Sequence, residues 1–236
     1  MHTLVIPLVG PMQSWGYRSR FDIRDTAAEP TRSGVLGLIC AAMGMPRSSD
    51  LSIFDQLRMG VRVDREGAPR ADYHTARRVV KASGAAGNTV VSWRHYLADA
   101  RFIVGLEGDD ERLPLLHRID AALRAPVFSL FLGRMAFPPS LPPCLPGTSV
   151  RENLSLEEAL RSIPWCRIRR GEEVPAEGIR IAVETRELFG PNIQVMGDQP
   201  LDFERRRFGL RAVKMGRLDA GAIPDNGGQW PCIFLD

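Results

Sequence analysis

The chain opens on a β-branched apolar run, "TLVIPLV" at residues 3–9, which predicts a buried first strand despite Pro7. A polar, glycine-containing loop follows. Val35–Met43 is then almost wholly apolar, with alanine and glycine positions that let a helix lie close to a sheet. "MGVRVD" (59–64) alternates and predicts a second strand; "ARFIVGLE" (100–107) predicts a third, with Phe102, Val104 and Leu106 on one side. Asp109 or Asp110 is placed to cap a helix whose Leu113, Leu116, Ile119, Ala122 and Leu123 recur at helical spacing until Pro126 stops it. "VFSLFLG" (127–133) predicts a fourth strand. The order β-α-β-β-α-β is that of an α+β, ferredoxin-like (RRM-like) domain over residues 1–135. Such a fold hosts many activities and selects none.

Two stretches fall outside that frame. About 35 residues separate the second and third strands, more than an ordinary connection needs. Within them "RRVV" and "TVVSW" flank "KASGAAGN", a Gly/Ser/Asn turn. The segment around residues 75–98 therefore reads as an inserted β-hairpin, either an ordinary surface hairpin or one that projects with a flexible tip. From Ala136 the chain opens on "FPPSLPPCLPG", whose prolines mark a stiff, irregular connection. Beyond it "SLEEALRSI" (155–163) predicts a short helix, "GIRIAVET" (178–185) a strand and "RRFGLRAVKMG" (206–216) another. Residues 136–236 are expected to form a smaller β-rich C-terminal unit.

Composition bounds the reading. With 236 residues, 44% hydrophobic and 25% charged, the chain has room for one large domain or two small ones around a packed core. No apolar stretch is long enough to span a bilayer. The N-terminus lacks a basic n-region and a small-residue cleavage site, so a cytoplasmic location and no membrane partner are expected. Cys40, Cys144, Cys166 and Cys232 are widely spaced, with no CxxC or Cys/His pair. That spacing argues against a zinc site and against a disulfide framework, and no metal or cofactor is expected. Charge changes the picture more. The net charge is only +3, yet Tyr73–Ala98 holds no Asp or Glu while carrying Arg77, Arg78, Lys81 and Arg94. Lys81 and Lys214 are the only lysines among the basic residues, and guanidinium suits phosphate and stacking better than ammonium does. An anionic partner is favoured.

Three places could serve it. In "PTRSGVLGL" a helix start leaves its first N–H groups without partners and adds partial positive charge. Thr31 or Ser33 can cap it, Gly34 permits close approach and Arg32 supplies a full charge. The stretch reads either as a phosphate seat or as simple capping, and no GK[ST] makes it a Walker A loop. The loop "GPMQSWGYRSRF" (10–21) leads to the same end of the sheet. Trp15, Tyr17 and Phe21 offer stacking faces unless they belong to the core, and Gln13, Ser14, Arg18, Arg20 and Arg24 can bond phosphate or base edges. In the hairpin, "DYHTARR" and "WRHY" bring Tyr73, His74, Trp93, His95 and Tyr96 beside Arg77, Arg78, Lys81 and Arg94. That mixture suits single-stranded nucleic acid. His74, His95 or Tyr96 could alternatively run metal-independent acid–base cleavage of RNA. A ligand-binding or assembly module with no RNA role stays open as well. "FERRRFGLRAVK" (203–214) is a second basic cluster, either a solvated face or a further contact to the same anion.

"LVGPMQSWG", "PTRSGVLGLICAAMG", "DYHT", "SWRHYLADARFIV" and "LFLGR" run in order over residues 4–134. Together they resemble the CasD subunits of type I-E CRISPR surveillance complexes (Cascade), within the repeat-associated (RAMP) superfamily. The resemblance implies a ferredoxin-like domain with a protruding thumb hairpin, here residues 75–98, and a small C-terminal domain. It implies a non-catalytic, RNA-binding subunit in antiviral defence, holding the 5′ handle of CRISPR RNA. It also implies partners: the CasA large subunit, CasC backbone subunits, CasB and CasE, and target DNA through the assembled complex. The implied RNA surface comprises Gln13, Ser14, Trp15, Arg18, Arg24, Thr31, Arg32, Ser33, Gly34, Tyr73, His74, Arg77, Arg78, Lys81, Trp93 and Arg94. Arg134 joins it from "LGRM", a remnant of the family's glycine-rich loop. A type I-C relative cleaves repeat RNA, so the nuclease alternative is carried with the resemblance.

Overall fold

The computed structural model describes residues 1–16, 22–80, 83–85, 87–165 and 173–224. In chain order the elements are β1 (His2–Val9), β2 (Met12–Gln13), β3 (Ile23–Arg24), α1 (Arg32–Ala42), β4 (Arg58–Arg65), β5 (Ala68–Ala76), β6 (Val90–Ala98) and β7 (Arg101–Gly108). They continue with α2 (Leu113–Arg124), β8 (Val150–Arg151), α3 (Leu156–Ser162), β9 (Ile179–Thr185), β10 (Ile193–Asp202) and β11 (Arg207–Leu218). The architecture is mixed α+β. Seven strands form one antiparallel sheet in the order β10-β11-β9-β4-β7-β1-β8. Every residue of β1 and β7 is buried, so both read as near-continuous apolar runs. Alternate residues feed two cores: Leu4, Ile6, Phe102 and Val104 join those of α1 and α2, whereas Val5 and Ile103 join those of α3. Asp109 caps the 3₁₀ turn that leads into α2, and Ser155 with Glu158 forms a capping box at α3. Among the described residues no helix is long and apolar enough to cross a membrane.

The fourth strand expected at 127–133 does not form. The last carbonyls of α1 capture that segment instead: Val127 and Phe128 donate their backbone N–H groups to Ala42 and Ala41 at 2.9 and 3.2 Å. Their side chains are left exposed, and the place beside β1 goes to the short β8. The proline-rich stretch before β8 is held against α2 by side chains. The Asp120 carboxylate accepts from Arg124 and from the Ser149 N–H, and the Ser149 hydroxyl accepts from the Leu145 N–H at 2.9 Å.

Beyond residue 136 the strands extend the same sheet, because β9 pairs with β4. A buried charge network locks this extension to the N-terminal end of α1. Glu184 of β9 accepts two bonds from the Arg32 guanidinium, at 3.0 and 2.9 Å, one from Arg211 at 3.1 Å and one from the Met59 N–H at 2.7 Å. Asp198 of β10 accepts from the Arg32 backbone N–H at 2.7 Å and from Arg211 at 2.6 and 2.8 Å. Arg32 is 1% exposed and Asp198 1% exposed. Buried charges of this kind must all be partnered.

The inserted segment forms the hairpin β5–β6, paired from Ala68↔Ala98 to Ala76↔Val90. The other edge of β6 carries β2, antiparallel, and β3, parallel, completing a four-stranded second sheet.

Two outcomes are expected. Glu184→Ala leaves Arg32 and Arg211 with less compensation and should cost about 3–5 kcal/mol in urea unfolding. Burial pushes the Asp120 carboxyl up, but bonds from Arg124 and Ser149 outweigh it, so the group lies below its ordinary value when folded. Its contribution is present above the unfolded value of about 3.9 and is lost as pH falls through the depressed one. Thermal melts between pH 5 and 2 should therefore be less pH-dependent in Asp120→Asn than in the wild type.

Candidate nucleic-acid interface

The helix start that reads as a phosphate seat is occupied by the protein itself. The Arg32 side chain turns inward to Glu184 and to the Phe54 carbonyl, and its backbone N–H is taken by Asp198. Thr31, 1% exposed, caps α1 by accepting from the Gly34 N–H at 3.3 Å; Ser33 bonds Thr31. A Cβ on Gly34 would stand 2.7 Å from a Trp15 ring carbon, so this glycine admits the indole, not a ligand. Trp15 itself is 1% exposed and belongs to the core.

Gln13 is also buried. Its amide donates to the Leu8 and Ala100 carbonyls and its oxygen accepts from the Trp15 indole N–H. Ser14 donates to the His95 carbonyl. Gln13, Ser14, Trp15, Thr31, Arg32 and Gly34 are thus corrected from contact residues to framework. Gln13 lies in the strand that pairs with β6, Trp15 packs into the core against Gly34, and Arg32 is drawn inward by Glu184. Arg18 and Lys81 lie outside the described residues, as do Tyr17, Arg20 and Phe21.

What reaches the surface is the second sheet, and its two sides differ. Cross-strand partners share a face and neighbours alternate. Tyr73, opposite Trp93, and Ile23, also opposite Trp93, form an apolar stripe on one side. Tyr73 is 56% exposed and Trp93 48%, and their rings meet edge to face with centroids 5.0 Å apart.

The other side is cationic. Arg94 stands opposite both Asp72 and Arg24, and Arg134 reaches the same place from the loop after α2. The Arg134 guanidinium donates to the Arg24 and His95 carbonyls at 3.2 and 2.7 Å and lies 5.5 Å from the Phe137 ring centre, which in turn meets Tyr96. Gly133 permits this turn: its φ is +89°, and a Cβ there would collide with the Ser14 carbonyl oxygen. Burial lowers the affinity of Arg134 for its proton, the positive charges of Arg94 and Arg24 lower it further, and Asp72 offsets part. Among the described residues, none of these three arginines forms an ion pair. Three positive charges against the single carboxylate of Asp72 leave an excess that makes an anion stabilising there. Arg77 and Arg78 are exposed just past the end of β5.

His74 lies on the cationic side, opposite Ser92, whereas His95 lies on the aromatic side, opposite Ala71. The strand pairing therefore keeps the two histidines from sharing one reacting group. Sequence reasoning missed Ile23, Asp72 and Phe137, and read Tyr96 as a stacking ring or a catalytic group. The alternation of "DYH" and "WRHY" around one pairing register could have separated the two sides.

Residues 3–214 match the family model described as CRISPR-associated protein (Cas_Cas5). The chain is similar to the CRISPR system Cascade subunit CasD of Escherichia coli (strain K12), with 32% identity over 149 residues. That match covers 57% of this chain and 66% of the relative, just under two thirds of its length. It is also similar to a solved chain described as a crystal structure of a Cas protein, at 40% identity and a TM-score of 0.75, covering 95% of this chain and 99% of that one. A chain of a CRISPR RNA-guided surveillance complex follows at 33% identity and a TM-score of 0.72, covering 91% and 89%.

Trp15→Ala is expected to cost about 3–5 kcal/mol as a core truncation. Trp93→Ala should cost no more than about 1.5 kcal/mol, the scale of one aromatic pair. Parallel urea titrations check both; similar losses would contradict the division into framework and surface.

Proposed function

The chain belongs to the CRISPR-associated Cas5 family, and we propose that it is the non-catalytic RNA-binding subunit of a Cascade-type surveillance complex. In this reading it holds the 5′ handle of CRISPR RNA, neighbours the CasA and CasC subunits, and assembles in the cytoplasm with CasB and CasE. Target DNA is then read by guide pairing, not by this chain. The β8-β1-β7-β4 order, with α1 and α2 on one side, supports a ferredoxin-like frame for it.

The observation that carries the reading is the gathering of Arg24, Arg94 and Arg134 on one side of the second sheet, with an exposed Tyr73–Trp93 pair on the other. Guanidinium groups bond phosphate oxygens in a fixed fork. Flat rings stack on splayed bases, contributing about 1–3 kcal/mol each. A hairpin with phosphate contacts on one side and rings on the other can hold a strand that bends around it. His74 and His95, parted by the register, give no support to the nuclease alternative.

Co-expression with the neighbouring subunits and a CRISPR array tests the reading. Wild-type chain should co-purify a discrete RNA. The Arg94→Ala, Arg134→Ala double variant should bind it more weakly. Its log–log salt slope should be shallower by about 1.4, as removing two single-strand phosphate contacts requires. A wild-type chain that retains no RNA, or a double variant with an unchanged slope, overturns it.

A further inference from the structure

Among the described residues, no helix covers the continuation across β11 and β10 of the side of the large sheet on which α3 lies. Val183 of β9 belongs to the α3 core and stands opposite Lys214 of β11. By alternation Ala212, Leu210 and Phe208 lie on that same side, and Val195 of β10 stands opposite Ala212. Leu210 is 77% exposed, Val195 52% and Phe208 46%. Basic groups rim this apolar strip: Arg205 and Arg206 are exposed at the turn joining β10 to β11, and Lys214 is exposed at the other end. No part of the proposed RNA site lies on this strip.

We propose that this strip docks a protein partner whose contact surface has an apolar centre and an acidic rim, a neighbouring subunit of the assembly. The inference rests on the reading of the chain as a complex subunit. Exposed apolar patches rimmed by charge mark protein contacts, and the basic rim asks for carboxylates opposite it. Nucleic acid fits less well. Leu210 and Val195 have no flat face for a base, and Asp202 and Glu204 are interleaved with the arginines, Asp202 lying 3.8 Å from Arg205. A second copy docked two-fold would bring the same basic rim to both sides of one contact. Strand addition is hindered too, since two register shifts and Pro200 interrupt β10.

The test uses the co-expressed complex. Leu210→Glu with Val195→Glu should lower the occupancy of one protein component at least tenfold by native mass spectrometry. RNA per copy of this chain should stay unchanged, and Leu210→Met should match the wild type. A thermal melt of each variant confirms folding. A photo-crosslinking amino acid at position 210 should form its adduct with that same component, near Asp or Glu residues. Unchanged occupancy, or an adduct to RNA, DNA or a second copy, overturns the docking proposal alone. A wild-type chain that brings down neither RNA nor protein overturns the functional reading, and this one with it.

Discussion

The architecture depends on one buried exchange of charge. Arg32 opens α1, yet its guanidinium belongs to Glu184 and its backbone N–H to Asp198, both more than 150 residues further along the chain. Arg211 bridges the two carboxylates. Because these charged groups are largely withdrawn from solvent, none can leave without stranding the others. The α1 start and strands β9–β11 are thereby held in one arrangement. The anion site that a helix N-terminus offers is filled internally, so the proposed RNA contact falls on other groups.

The surface proposed for RNA is the smaller sheet, where a single strand does most of the positioning. β6 pairs with β5 along its length and with β2 and β3 on its other edge. Alternation along β6 then sorts Trp93 and His95 to one side, Arg94 and Tyr96 to the other. Neither side needs a pocket: the groups stand on a surface, as suits a ligand that is long, flexible and charged throughout.

Much of this was legible in the sequence. The strands at β1, β4 and β7 showed as apolar or alternating runs, α2 by its spacing, and the inserted hairpin by its glycine-rich turn. The segment at 127–133 was misread because an apolar run looks the same whether it pairs in a sheet or binds the end of a helix. β10 went unread; its pattern is broken by Gly197, Pro200 and the register shifts that accompany them. At the candidate site the sequence showed residue types but not the directions in which they face. Trp15, Arg32 and Gly34 have the chemistry of a binding loop, and only long-range partners such as Glu184 reveal that they face inward. Arg24, Arg94 and Arg134 come from three distant segments, a convergence that no local pattern records.

The two carbonyl bonds made by Arg134 have a consequence for the chemistry of replacement. One terminal nitrogen of the guanidinium, Nη2, donates to carbonyl oxygens of β3 and β6 at once, and the centre of the group lies 5.5 Å from the Phe137 ring centre. A lysine carries the same charge on a single nitrogen: spent on the two carbonyls, it would leave no second nitrogen to turn toward an anion and no plane to lie against the ring. Conservative by charge, that exchange would keep β3 paired to β6 yet give up the remaining donors that the guanidinium offers on the cationic side.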